Sequence, residues 1–205
     1  MSRILRETDA TRVRVRLDPF AGTEGYKAHI ATAEPFLDHM LYTLARYAGW
    51  GLEVDAAGDL RHHLVEDVAI TLGLALHEEI PETCRRYGHA TIVMDDAMVQ
   101  AALDAGGRFW YEGPLPSRLY DHFLRSLAEN ARIALHVHVL RGRDRHHVVE
   151  AAFKAVGLAL RDALAAGDAV FSTRGAARVR RDGPDESAPD RPGGPARTAP
   201  GEEAC

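Results

Sequence analysis

Between residues 12 and 17 the chain reads Arg-Val-Arg-Val-Arg-Leu, a strict polar–apolar alternation that predicts a half-buried strand. The period then changes. Residues 35–47 place Phe36, Met40, Leu41, Leu44 and Ala45 at helical spacing, and 64–79 form a longer apolar-faced helix. Short runs at 51–56, 89–94, 108–111 and 133–140 read as strands. Helices are predicted over 119–131 and 146–166, the second closed by the turn residues Gly167 and Asp168.

That order is doubled. His62-His63-Leu-Val-Glu66-Asp-Val-Ala-Ile-Thr-Leu-Gly73-Leu-Ala-Leu76 lies over His146-His147-Val-Val-Glu150-Ala-Ala-Phe-Lys-Ala-Val-Gly157-Leu-Ala-Leu160, with eight of fifteen positions identical at an offset of 84. Upstream, Asp38-His39-Met-Leu-Tyr-Thr-Leu44-Ala45 lies over Asp121-His122-Phe-Leu-Arg-Ser-Leu127-Ala128 at an offset of 83. Two Ala/Leu-rich amphipathic helices would share apolar positions by patterning alone. They would not share two His-His pairs each followed by Glu, so the pattern indicates duplication of a half-domain. The halves run over about 1–90 and 91–177.

Beyond residue 177 the character of the chain changes. Residues 178–205 hold five of the ten prolines and almost no large apolar side chain, so they predict a disordered Pro/Gly-rich tail after a folded domain over 1–177. No stretch approaches the roughly 18–20 apolar residues of a membrane helix. The N-terminus carries charges where a signal peptide is apolar, which predicts a cytoplasmic protein. A net charge of −5 argues against a nucleic-acid partner. Two cysteines, Cys84 and Cys205, are too few for a disulfide framework or a cysteine-rich zinc site.

Eleven histidines change the picture. In His-His-x-x-Glu at a helix start, residues three and four apart share a face while adjacent residues diverge by about 100°. Glu66 can therefore join His62 or His63 on one ion while the other histidine points elsewhere, and the same holds for His146, His147 and Glu150. Such a motif suits a centre bridging two metals or two chain segments, and nitrogen and oxygen donors favour manganese, iron or zinc. His39 and its repeat counterpart His122 read as core histidines bonded to Asp38 and Asp121. His136 and His138 alternate on one strand, and His29, His77 and His89 carry no usable pattern. Arg86-Tyr-Gly88, Gly106-Gly-Arg108 and Ser172-Thr173-Arg174-Gly175 combine the guanidinium, amide and hydroxyl groups with which proteins hold phosphate.

Together these residues resemble the imidazoleglycerol-phosphate dehydratase family of histidine biosynthesis. The marks are Phe36-Leu-Asp-His-Met-Leu41, Gly58-Asp-Leu60 before His62-His63-x-x-Glu66-Asp67, Arg86-Tyr-Gly88, Met94-Asp-Asp-Ala97, Arg125-Ser-Leu-Ala-Glu-Asn130, Leu135-His136 and His146-His147-x-x-Glu150-Ala-x-Phe-Lys154-Ala155. The resemblance implies an α+β fold of two similar halves, each a small β-sheet backed by α-helices. It implies metal ligands at His39, His62, His63, Glu66, His136, His146, His147 and Glu150, with two Mn2+ ions per site; iron, zinc or cobalt suit the same donors. Glu7 falls on an acidic residue of acid–base work and substrate contact. Arg86, Arg108, Lys154, Ser172, Thr173 and Arg174 fall on substrate- and phosphate-binding positions. A large homo-oligomer built from trimers, with sites at subunit interfaces, is also implied.

The implied chemistry is dehydration of a phosphorylated small molecule, imidazole glycerol phosphate, to imidazole acetol phosphate. No carbonyl acidifies the departing proton, so the imidazole is the only electron sink. Two metals on its ring nitrogens would stabilise an imidazolate, and Glu7 would move protons. The chain departs from the family in four ways, one of them a compressed region between Arg108 and Leu119. The segment before His62 is about three residues short, Tyr47 stands where a second histidine is usual, and Arg174 replaces a lysine. A same-fold di-metal enzyme acting on another imidazole-like phosphorylated substrate, or a non-catalytic metal-binding assembly protein, are the alternatives.

Overall fold

The computed structural model describes residues 1–22, 24 and 27–167. The expected tail over 178–205, the helix-closing Asp168, and Ser172, Thr173, Arg174 and Cys205 lie outside them.

The alternating run at 12–17 is the middle of β2 (Thr11–Asp18), where Val13, Val15 and Leu17 are fully buried and the arginines between them turn outward. With β1 (Ser2–Glu7), β3 (Ala28–Ala31), α1 (Pro35–Ala48), β4 (Gly51–Gly58) and α2 (Arg61–Glu79) it makes the first half. The second half repeats the order with β5 (Tyr87–Met94), β6 (Ala97–Asp104), β7 (Trp110–Glu112), α3 (Arg118–Ala131), β8 (Ala134–Arg141) and α4 (Arg145–Leu164). The sheets have orders β1-β2-β4-β3 and β5-β6-β8-β7, each with one parallel pair, β3 with β4 and β7 with β8. The same connection recurs in both halves, as duplication requires. Both α1 and α3 stop on a left-handed residue, Gly49 at φ 72° and Arg132 at φ 56°.

Three strands have no counterpart in the periodicity. In β1 the apolar Ile4 and Leu5 are adjacent, so no alternation shows. β3 is four residues long, and β6 (Ala-Met-Val-Gln-Ala-Ala-Leu-Asp) hides its alternation among alanines. All three are recruited by pairing with neighbours that do alternate.

The helices pair across the halves. α2 lies on β1, β2 and β4 and also packs against α3, while α4 lies on β5, β6 and β8 and packs against α1. One apolar core runs through both halves, with Trp50, Phe123 and Phe153 among its largest fully buried side chains. The crossings depend on two glycines one repeat apart. A Cβ on Gly73 would stand 2.7 Å from the Leu127 carbonyl oxygen, and one on Gly157 would stand 2.9 Å from the Leu44 carbonyl oxygen. Backbone atoms cannot yield as side chains do. Gly73→Ala is therefore expected to lower stability by about 1–3 kcal/mol despite alanine's better helix propensity. Thermal unfolding should show a melting temperature several degrees lower; an unchanged one would mean the α2–α3 crossing adjusts freely.

Among the described residues, no helix is long and apolar enough to cross a membrane.

Candidate metal centre

The cross-half pairing of helices brings histidines from one half to carboxylates of the other. On the α1–α4 side, His39 Nε2 is 3.4 Å from Glu150 Oε2, and His146 Nε2 is 3.1 Å from the same oxygen. On the α2–α3 side, His122 Nε2 is 3.2 Å from Glu66 Oε1, and His62 Nε2 is 3.5 Å from Glu66 Oε2. In each group of three, one donor atom per residue lies within 4.8 Å of the others. The imidazole pairs are stacked, with centroids 5.8 Å apart for His39 and His146 and 5.4 Å for His62 and His122. Each centre thus combines two imidazole nitrogens and a carboxylate, the donor set of a hard-to-borderline divalent cation. His122 Nε2 is buried and makes no hydrogen bond, although the Glu66 carboxylate faces it. A cation between the two groups would satisfy both.

The i,i+4 member of each pair is the one that meets the glutamate: His62 with Glu66, and His146 with Glu150. The neighbouring histidines turn away, as helical geometry requires. His63 Nδ1 is 3.0 Å from Asp59 Oδ1, and His147 Nδ1 is 2.7 Å from Asp96 Oδ1, with Asp95 Oδ2 3.4 Å from its Nε2. The hydrogen bond to His147, with the amides of Arg143 and Asp144, holds the Asp96 carboxyl at about 2, and the same bond raises His147 above its ordinary value. A carboxylate on one ring nitrogen fixes the tautomer and orients the other nitrogen, the usual supporting arrangement of a metal-binding histidine.

His39 and His122 do not bond the aspartates beside them. Asp38 accepts from Thr32, and Asp121 accepts from the Tyr111 hydroxyl at 2.7 Å and the Leu115 amide at 2.9 Å. These aspartates tie down the first turns of α1 and α3, which leaves both imidazoles to the centres. Burial and the Asp121 carboxylate together raise the Tyr111 hydroxyl above its ordinary value, so it stays a donor.

His136 stands elsewhere. In β8, Leu135 and Val137 point into the core, so the period of two puts His136 and His138 on the opposite, exposed face. There His136 is in register with Ala102 and Glu112, and lines a shallow cavity with Gln100 and His138. It belongs to neither group of three, and His122 completes the second. The repeat carried the signal that could have found this: once His39 is a ligand, its counterpart 83 residues on is His122.

The remaining candidates are members of neither group of three, although Lys154 touches Glu150. Glu7 ends β1, exposed, with Arg12 Nε 2.9 Å from its carboxylate. The segment around it is well anchored, because Arg6 and Thr11 both hold the buried Asp67, which follows Glu66 in α2. Arg86 forks onto Asp104, with Nε 2.6 Å from Oδ1 and Nη2 2.9 Å from Oδ2. The Arg86 hydrogen bonds lower the Asp104 carboxyl, and the charge of the exposed Arg108 adds to the effect. A Cβ on Gly106 would stand 2.4 Å from the Arg86 guanidinium, so the glycine lets that side chain lie close over the turn. Lys154 Nζ is 2.9 Å from Glu150 Oε1.

The family model described as imidazoleglycerol-phosphate dehydratase matches residues 32–160. A protein of that name from Pyrobaculum calidifontis is 45% identical over 186 residues, covering 83% of this chain and 96% of its own. Another from Anaeromyxobacter sp. (strain K) is 42% identical over 193 residues, covering 85% and 89%. The crystal structure of IGPD from Pyrococcus furiosus has a TM-score of 0.76 and 38% identity, covering 85% of this chain and all of that one. The structure of imidazoleglycerol-phosphate dehydratase from Staphylococcus aureus gives 0.69 and 31%, covering 80% and 98%.

Proposed function

The chain belongs to the imidazoleglycerol-phosphate dehydratase family, hydro-lyases of histidine biosynthesis, and on that premise we propose that it dehydrates imidazole glycerol phosphate to imidazole acetol phosphate at a two-metal site. The observation that carries this reading is the pair of repeat-related His–His–Glu groups, each assembled from both halves of the chain. His39, His146 and Glu150 hold one cation and His62, His122 and Glu66 the other. His63 and His147, held through Nδ1 by Asp59 and Asp96, would add their Nε2 atoms to cations of neighbouring copies in a homo-oligomer with shared sites, His147 by exchanging its contact with Asp95. Manganese is the proposed metal, and iron, zinc or cobalt fit the same donors.

When bound, the cations supply Lewis-acid stabilisation for the imidazolate form of the substrate ring. Glu7 takes the proton from the carbon chain and returns one to the leaving hydroxyl, so that water departs and the enol tautomerises to the ketone. Arg86 and Arg108, with Ser172, Thr173 and Arg174, take the phosphate, and Lys154 adds a cationic charge beside Glu150.

Expression in a histidine auxotroph lacking this dehydratase tests the reading. Growth without histidine is expected. Expressed, metal-loaded protein that fails to support growth would turn the reading toward another imidazole-like phosphorylated substrate or a non-catalytic assembly.

A further inference from the structure

The two centres are related by the repeat, yet their carboxylates are not equivalent. Glu66 turns both oxygens to imidazoles, Oε1 to His122 and Oε2 to His62. Glu150 turns only Oε2 to His39 and His146, because Oε1 is 2.9 Å from the Lys154 ammonium. Lys154 follows Glu150 by one helical turn in α4; the residue in the same place after Glu66 in α2 is Ile70. The lysine is well held. Its side chain is 14% exposed, Nζ lies 5.7 Å from the Tyr47 ring centroid and it donates to Met94 Sδ at 3.1 Å.

Resting on the two-metal reading above, we infer that the centres bind divalent cations unequally and that Lys154 sets the difference. Without the lysine, the donors each chain gives to its two centres match: two imidazoles and one carboxylate. With it, the negative charge of Glu150 is already neutralised and one of its oxygens is engaged. A dication at Oε2 meets the repulsion of a fixed ammonium across the same carboxylate, and both of those side chains are largely buried, Glu150 at 10% and Lys154 at 14% exposure. Glu66 has neither handicap. The His62–Glu66–His122 centre therefore fills first, and the His39–His146–Glu150 centre fills second. The helical position four after the ligand glutamate is the residue that decides the order.

Titration of the metal-free full chain with Mn2+, reading free manganese by electron paramagnetic resonance, tests this without reference to turnover. Two phases are expected, their affinities separated by about tenfold or more, the scale of one fixed charge close to the ligand oxygen. Glu66→Gln should remove the tighter phase and Glu150→Gln the weaker. Lys154→Met keeps an unbranched side chain but removes the ammonium, and should tighten the weaker phase toward the other. Ile70→Lys makes the reciprocal change and should weaken the tighter phase. Two ions bound in a single phase that Lys154→Met leaves unchanged would overturn the inequivalence while sparing the two-metal reading. A wild-type chain that takes up no manganese would overturn that reading and this inference with it.

Discussion

His122→Ala is expected to hold about one manganese per chain where the parent holds two, whereas His136→Ala keeps both. His122 comes from α3 and faces Glu66 of α2 across the helix crossing, with its Nε2 buried and without a hydrogen bond. Removing it leaves the centre one imidazole and one carboxylate from its own chain, and so weakens its hold on a cation. Loss of an outer partner of a metal ligand typically costs 10–100-fold in affinity, and loss of a ligand should exceed roughly that range. The truncation itself costs little stability because the side chain is 35% exposed, so a folded, half-loaded protein is the anticipated product. His136 lies on the solvent-facing side of β8 and touches neither group, so its loss should leave metal content unaltered. Metal analysis of both variants after manganese reconstitution decides the matter. Two ions in His122→Ala, or one in His136→Ala, would mean that the second centre is built from other residues.

The second large effect is expected at Glu7. Glu7→Gln keeps the size and hydrogen-bonding capacity of the side chain but removes the titratable carboxylate. Turnover should fall by about 10²-fold or more, the scale of losing a general acid or base, with two manganese ions still bound. The end of β1 is not a fraying terminus: it pairs with β2 through Glu7 and Arg12, and Asp67 of α2 anchors the residues on either side. An effect on turnover would therefore report chemistry and not loss of local order. The ion pair with the exposed Arg12 is worth at most about 1 kcal/mol, so melting should hardly change. A variant with parental turnover would remove Glu7 from the reaction and leave its place as a surface ion pair.

Local pattern determined a good deal about this protein. The strict alternation of β2, the helical spacing of α1 and α2, and the duplicated His-His-x-x-Glu are all properties of short stretches. Backbone geometry translates these directly: a period of two makes a face, and a spacing of four puts a histidine over a glutamate. The offset of 84 likewise gave two halves, and the identical sheet orders bear that out. The strands that periodicity misses, β1, β3 and β6, are those whose own residues prefer nothing strongly and whose place is set by hydrogen bonds to a neighbour.

The site was legible only in part. Sequence spacing left open which histidine of each pair meets the glutamate, and on the residues alone it read His39 and His122 as core histidines beside Asp38 and Asp121. Tertiary structure decided both. Thr32, Tyr111 and the Leu115 amide occupy those aspartates, and the crossings of α1 with α4 and α2 with α3 carry the freed imidazoles to carboxylates far along the chain. His136 lies outside both groups of three, on a strand whose inward positions are Leu135 and Val137. A metal centre needs three donors within a few ångströms. Spacing along one helix can supply two of them, but the third comes from another helix, where close backbone packing at Gly73 and Gly157 brings the elements together.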